Sequence, residues 1–90
     1  MALHVNISVK GKVQGVFFRA YTKKKAEELG LNGFVKNCQD GSVYIEAEGE
    51  KNVLEEFINW CYKGSPGSKV ESVESSQSKL AHFSFFKIEK

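Results

Sequence analysis

Leu3-His4-Val5-Asn6-Ile7-Ser8-Val9, then Lys10-Gly11-Lys12-Val13-Gln14-Gly15, then Val16-Phe17-Phe18-Arg19 reads as a strand, a loop and the start of a helix. Leu3, Val5, Ile7 and Val9 alternate with His4, Asn6 and Ser8, which is the period of a strand with one buried face. Gly11 and Gly15 punctuate the loop, after which Phe18, Thr22, Ala26 and Leu29 recur at helical spacing up to Gly30. The spacing predicts a helix of about three turns. Gly30 suits a left-handed C-terminal cap, and Leu31 can pack back on the last turn.

Outward from this unit, Gly33 to Gln39 is strand-like and meets a second alternating run, Val43, Ile45 and Ala47 against Ser42, Tyr44 and Glu46. Asp40-Gly41 between them signals a hairpin, because both residues tolerate positive φ. Leu54, Phe57, Ile58 and Cys61 follow an i, i+3, i+4, i+7 stripe, with Glu55 and Glu56 near the positive end of the helix dipole. This second helix ends near Gly64, and Gly64-Ser65-Pro66-Gly67-Ser68 reads as a tight connection. Val70 and Val73 suggest a further strand despite their odd spacing, Ser75 to Lys79 a polar turn, and Phe83 to Ile88 a last strand. The order contains two β-α-β units, which with right-handed crossovers give an open sheet covered on one face. The expected fold is α+β: a ferredoxin-like α/β sandwich, an antiparallel-type sheet of five strands with two helices on one face, βαββαβ plus an extra strand.

Ninety residues suit one compact unit, so residues 1–90 are expected to form a single domain. With 41% hydrophobic and 12% aromatic residues, the chain can build a core without metals or disulfides, which excludes disorder. No more than three apolar residues run consecutively, and Met1-Ala2-Leu3-His4 has neither a charged leader nor an apolar core. Neither a membrane span nor a secretory signal is expected. The net charge of +2 is compatible with a small anionic ligand and weak as a signal for a polyanion. Cys38 and Cys61 lie far apart with no C-x-x-C spacing, which points to free thiols in the cytoplasm.

The chemistry concentrates in Gly11 to Arg19. A strand end passes through a glycine-bearing loop into a helix N-terminus, where unpaired N–H groups and the positive dipole form a cradle for a phosphate-sized anion. Gly15 lets the main chain approach closely, and the planar fork of Arg19 adds charge-assisted bonds to the same anion. The same residues also fit a plain turn followed by a solvated arginine. No G-K-[ST] follows, so this is not a Walker A loop, and the three-glycine dinucleotide spacing is missing. Positions 4, 38, 61 and 82 show no paired metal-ligand spacing, so no metal is expected, and His4 and His82 read as structural or surface residues. Lys23, Lys24 and Lys25 could steer anions toward Arg19, but Glu27 and Glu28 can pair with them, and a solvated face is the simpler reading. Cys38 follows Asn37 in the same expected strand, so the two side chains should point to opposite faces, which speaks against a nucleophilic role for Cys38. Trp60, Tyr62 and the Phe83 and Phe85 pair read as core filling rather than stacking platforms.

Val9-Lys10-Gly11-Lys12-Val13-Gln14-Gly15-Val16-Phe17-Phe18-Arg19 resembles the first signature of the acylphosphatases. Gly33-Phe34-Val35-Lys36-Asn37, continuing through Asp40-Gly41, Val43 and Gly49, resembles the second, and the likeness runs on to Phe86-Lys87-Ile88. Ser65, Ser68 and Cys38 depart from the common pattern and are expected not to touch the chemistry. The resemblance implies a small cytosolic enzyme that hydrolyses acyl phosphates to a carboxylate and inorganic phosphate, without cofactor or metal. It assigns phosphate binding to Arg19 and the amides of Gln14, Gly15, Val16, Phe17 and Phe18, and places the attacking water on Asn37. The partners expected are small-molecule acyl phosphates, with no nucleic acid and no membrane, and the protein is expected to be a monomer. Two rivals stand beside this: an anion-binding module without turnover, and an RNA-binding domain of the same strand order, against which the missing aromatic RNA-binding stretch and the low charge count.

Overall fold

The computed structural model describes residues 2–89, so Met1, part of the signal-sequence reading, and Lys90 lie outside the described residues. Seven elements follow in the expected order: β1 (Ala2–Lys12), α1 (Phe18–Glu28), β2 (Asn32–Asn37), β3 (Val43–Glu50), α2 (Lys51–Lys63), β4 (Lys69–Ser78) and β5 (Phe86–Glu89). The sheet order is β4-β1-β3-β2-β5. The first four strands pair antiparallel, but β5 lies parallel to β2, so the sheet is mixed rather than purely antiparallel. Val5, Ile7, Val9, Val35, Ile45 and Ala47 bury one face beneath Phe18 and Ala26 of α1 and Leu54, Phe57 and Cys61 of α2. Trp60 packs between Phe18 and Phe57, with ring centroids 5.7 and 6.3 Å away, whereas Tyr62 and Phe85 are exposed rather than core-filling.

Local corrections have local causes. The odd spacing of Val70 and Val73 arises from a β-bulge: Lys10 pairs with Ser72 but Gly11 with Val70, leaving Glu71 as the extra residue, so both valines reach the core. Ser75 to Ser78 continue β4 instead of turning. This edge strand is wet on both faces there, so hydrophobic alternation carries no signal. The last strand starts at Phe86, not Phe83. Of Asp40 and Gly41 in the β2–β3 turn, only Gly41 adopts positive φ, at 93°, while Asp40 caps the turn by accepting from Ser42 N–H and Oγ. Helix α2 begins at Lys51, placing Glu55 and Glu56 in its second turn, beyond the strongest part of the dipole. The end of α1 behaves as read: Gly30 N–H bonds to Glu27 O and Leu31 N–H to Ala26 O, the paired bonds of a Schellman cap.

Because β4 and β5 lie on opposite edges, residues 79–85 must cross the sheet, and they do so over the face without helices. His4 is buried there between two carboxylates: its Nδ1 is 2.7 Å from Glu48 Oε2 and its Nε2 2.8 Å from Glu46 Oε1. Glu48 also accepts the N–H groups of Ala81, His82 and Phe83. Burial pushes the Glu48 carboxyl up, but the bonds from His4 and these three amides outweigh it and hold it at about 2. Burial likewise disfavours the imidazolium, yet hydrogen bonds and charge from Glu48 and Glu46 leave the His4 pKa raised.

Glu48 therefore contributes stability that is complete above its ordinary 4.5 and is lost as pH falls toward about 2. His4 contributes below its ordinary 6.5 and loses that contribution as pH rises through its raised value. The urea midpoint is expected to peak between these limits, and His4→Gln to remove the alkaline decline.

Candidate active site

The loop from Val13 to Phe17 is built to leave amides open. Gly15 has φ 75° and Phe17 φ 59°, left-handed on either side of Val16, an alternation that turns successive N–H groups toward one side. A Cβ on Gly15 would meet no protein atom within 4 Å, so conformation and approach from the cleft, not packing, call for glycine here. Phe17 is the residue at the N-cap of α1, and no side chain caps that helix start, which leaves its first-turn donors available.

Val13, Gly15, Phe17, Phe18, Arg19, Ala20, Asn37 and Ile88 line a cleft of about 300 Å³ at this point. The cleft unites Gly15, Phe17, Phe18, Arg19 and Asn37 of the sequence assignment. Gln14 and Val16 do not line it and brace it from outside. Gln14 Nε2 donates to Cys38 O at 2.8 Å and Ser42 O at 2.9 Å, tying the loop to the end of the β2–β3 hairpin and so to Asn37. Val16 O accepts from Ser65 Oγ at 3.0 Å, so the serine that departs from the common pattern does reach the loop.

Arg19 stands in the first turn of α1, and its Nη1 donates to Glu89 O at 3.0 Å. One of its five donors is thus fixed on the last strand, aiming the planar fork. The role of β5 was not legible beforehand: a backbone carbonyl leaves no trace in side-chain patterns. Asn37 ends β2, and its Oδ1 is buried without a hydrogen-bond partner among the described residues. An orphan buried acceptor in a cleft wall calls for an explanation such as a bound water or ligand. Cys38 lies just past the strand end, so strand alternation does not set its direction. Lys23 pairs with Glu27 at 3.2 Å, as the solvated-face reading has it.

A family model described as Acylphosphatase matches residues 5–88. The chain is 49% identical over 73 residues to an acylphosphatase of Shewanella amazonensis, covering 81% of this chain and 80% of that one. It is 49% identical over 82 residues to an acylphosphatase of Mannheimia succiniciproducens, covering 90% and 91%. Its fold superposes on the crystal structure of acylphosphatase from Bacillus subtilis with a TM-score of 0.96 at 40% identity, covering 98% of this chain and 99% of that one.

Proposed function

The chain belongs to the acylphosphatase family, hydrolases of acid anhydrides, and from that premise we propose how its own residues perform the hydrolysis of acyl phosphates. The phosphoryl group lies against the amides of the cleft-lining Gly15, Phe17 and Phe18 and the helix start, with Arg19 as its anchor and Gln14 and Val16 bracing the loop. Asn37 holds the attacking water in line with the carboxylate leaving group. The single observation that carries this is the meeting in one cleft of Arg19, the left-handed loop and Asn37, whose buried Oδ1 has no hydrogen-bond partner among the described residues.

The residue types suit the reaction. Phosphoryl transfer needs positioning and charge stabilisation more than covalent help. A carboxylate of pKa about 4 leaves without prior protonation, so no general acid is needed. The neutral amide of Asn37 accepts a hydrogen bond from the water at Oδ1, orienting a lone pair toward phosphorus without adding a charge that would repel it. The water's proton then passes to a phosphoryl oxygen of the substrate. Among the described residues that line the cleft there is no carboxylate, imidazole or thiol, and in this reading Arg19 and the amides meet the phosphoryl charge without a metal.

We further read residues 1–90 as one domain and the protein as a cytoplasmic monomer, in keeping with its two free thiols. No described helix is long and apolar enough to cross a membrane. The test is hydrolysis of benzoyl phosphate by the purified protein in excess EDTA. Undiminished turnover is expected. Loss of turnover that a divalent cation restores would overturn the metal-free mechanism. A folded protein that binds phosphate but releases none from benzoyl phosphate would instead be an anion-binding module.

A further inference from the structure

The row Ser78, His4, Glu48 and Asn32 runs across four paired strands on the helix-free face. Residues 79–85 cross above it as a strap. Beyond the three amides held by Glu48, Asn32 Nδ2 donates to Phe83 O at 3.1 Å and Gly33 N–H to Phe85 O at 3.0 Å. The Phe83 ring lies 5.7 Å from the imidazole of His4 and 5.8 Å from Phe34. The strap leads directly into β5, a four-residue edge strand paired with β2, and the carbonyl of its Glu89 seats Arg19.

We propose that the buried His4–Glu48 pair is a positioning device for Arg19: it pins the strap at Ala81 to Phe83 and thereby sets β5 and the Glu89 carbonyl on which the guanidinium rests. The inference builds on the assignment of Arg19 as phosphate anchor. Its logic is the cost of the arrangement. Burying an imidazole and a carboxylate takes both out of water, and an apolar pair of similar size would stabilise the sheet at least as well. What an apolar pair cannot do is accept three consecutive amides of a segment with no ladder of its own.

His4 governs how firmly Glu48 is held. Protonated, it donates to Glu48 and to Glu46 together. Neutral, it has one N–H for two carboxylates, and its lone pair faces the other. The remaining groups around it are Tyr44, which donates to Glu46 Oε2, Lys36 above the Tyr44 ring, the uncharged Asn6 and Ser78, and Lys79 and His82 of the strap. The strap should therefore loosen as His4 loses its proton.

The experiment measures the Kd of inorganic phosphate and the KM and kcat for benzoyl phosphate in the parent, Arg19→Gln, Glu48→Gln, His4→Gln and Leu54→Ala. Leu54 is on the buried face of α2, away from the strap, and serves as a control for lost stability. Glu48→Gln is expected to raise Kd and KM by about fivefold or more, the range of coupling between distant sites, with kcat less affected. Leu54→Ala should leave both constants near parent values at temperatures where it is folded. The parent's KM should climb as pH rises through the titration of His4, and that of His4→Gln should not. Should Glu48→Gln fail to fold, His4→Gln, which keeps the carboxylate and its amide bonds, carries the comparison. Parent-like phosphate binding in folded Glu48→Gln or His4→Gln, or an equal loss in Leu54→Ala, overturns the inference. If Arg19→Gln itself binds phosphate as the parent does, the fault lies with the anchor assignment instead.

Discussion

Arg19→Gln is expected to abolish measurable phosphate binding and to lower kcat/KM for benzoyl phosphate by about a thousandfold or more, the scale set by an arginine that meets transferring phosphoryl charge. Glutamine keeps a hydrogen-bond donor but is shorter and loses the charge and the bidentate fork. Ground state and transition state both carry phosphoryl charge against this side chain, so affinity and turnover should fall together. The fold should survive. Arg19 lies outside the core, and its side chain donates to a backbone carbonyl at the edge of the sheet. Calorimetric titration with inorganic phosphate beside initial-rate assays checks both halves.

Asn37→Ala should divide these effects. Phosphate affinity is expected to stay at the parent level, because the cradle and Arg19 remain, while kcat drops about a hundredfold, the effect of one preorganised polar group worth ~3 kcal/mol in the transition state. Stability should barely change or rise slightly, since the substitution removes a buried acceptor that has no partner among the described residues. A variant that binds phosphate normally, folds well and turns over slowly would mark Asn37 as acting on the nucleophile. Near-normal turnover would remove it from the mechanism.

Much of this was legible in the chain. The alternation of Leu3 to Val9, the stripe of Leu54, Phe57 and Cys61, and the Gly30 cap each express a face that must be buried or a terminus that must be satisfied. Such constraints write themselves into side-chain type. The loop from Gln14 to Phe18, with Arg19 and Asn37, was legible for a different reason: two long signatures resemble the acylphosphatase family, and the cleft then unites most of those residues.

Side-chain pattern says nothing where backbone groups or wet edges decide. The bulge opposite Lys10 and Gly11 shifts register without a compositional mark, and Ser75, Ser76 and Ser78 of β4 face water on both sides. His4 reads as a polar position on an alternating strand, which it is. Its burial follows from residues 79–85 crossing above it, seventy-odd positions later in the chain. The grip of Glu89 O on Arg19 and of Gln14 on Cys38 O and Ser42 O likewise joins a side chain to distant carbonyls that any residue type would supply.

The central claim is that a water held by Asn37 attacks phosphorus, not the acyl carbon, while Arg19 and the loop amides hold the phosphoryl group. Hydrolysis of benzoyl phosphate in water enriched in oxygen-18, followed by mass analysis of both products, reads this directly. The account predicts a single labelled oxygen in the released phosphate and none in benzoate. Label in the benzoate would place attack at the carbonyl carbon and contradict the roles given to Arg19 and Asn37.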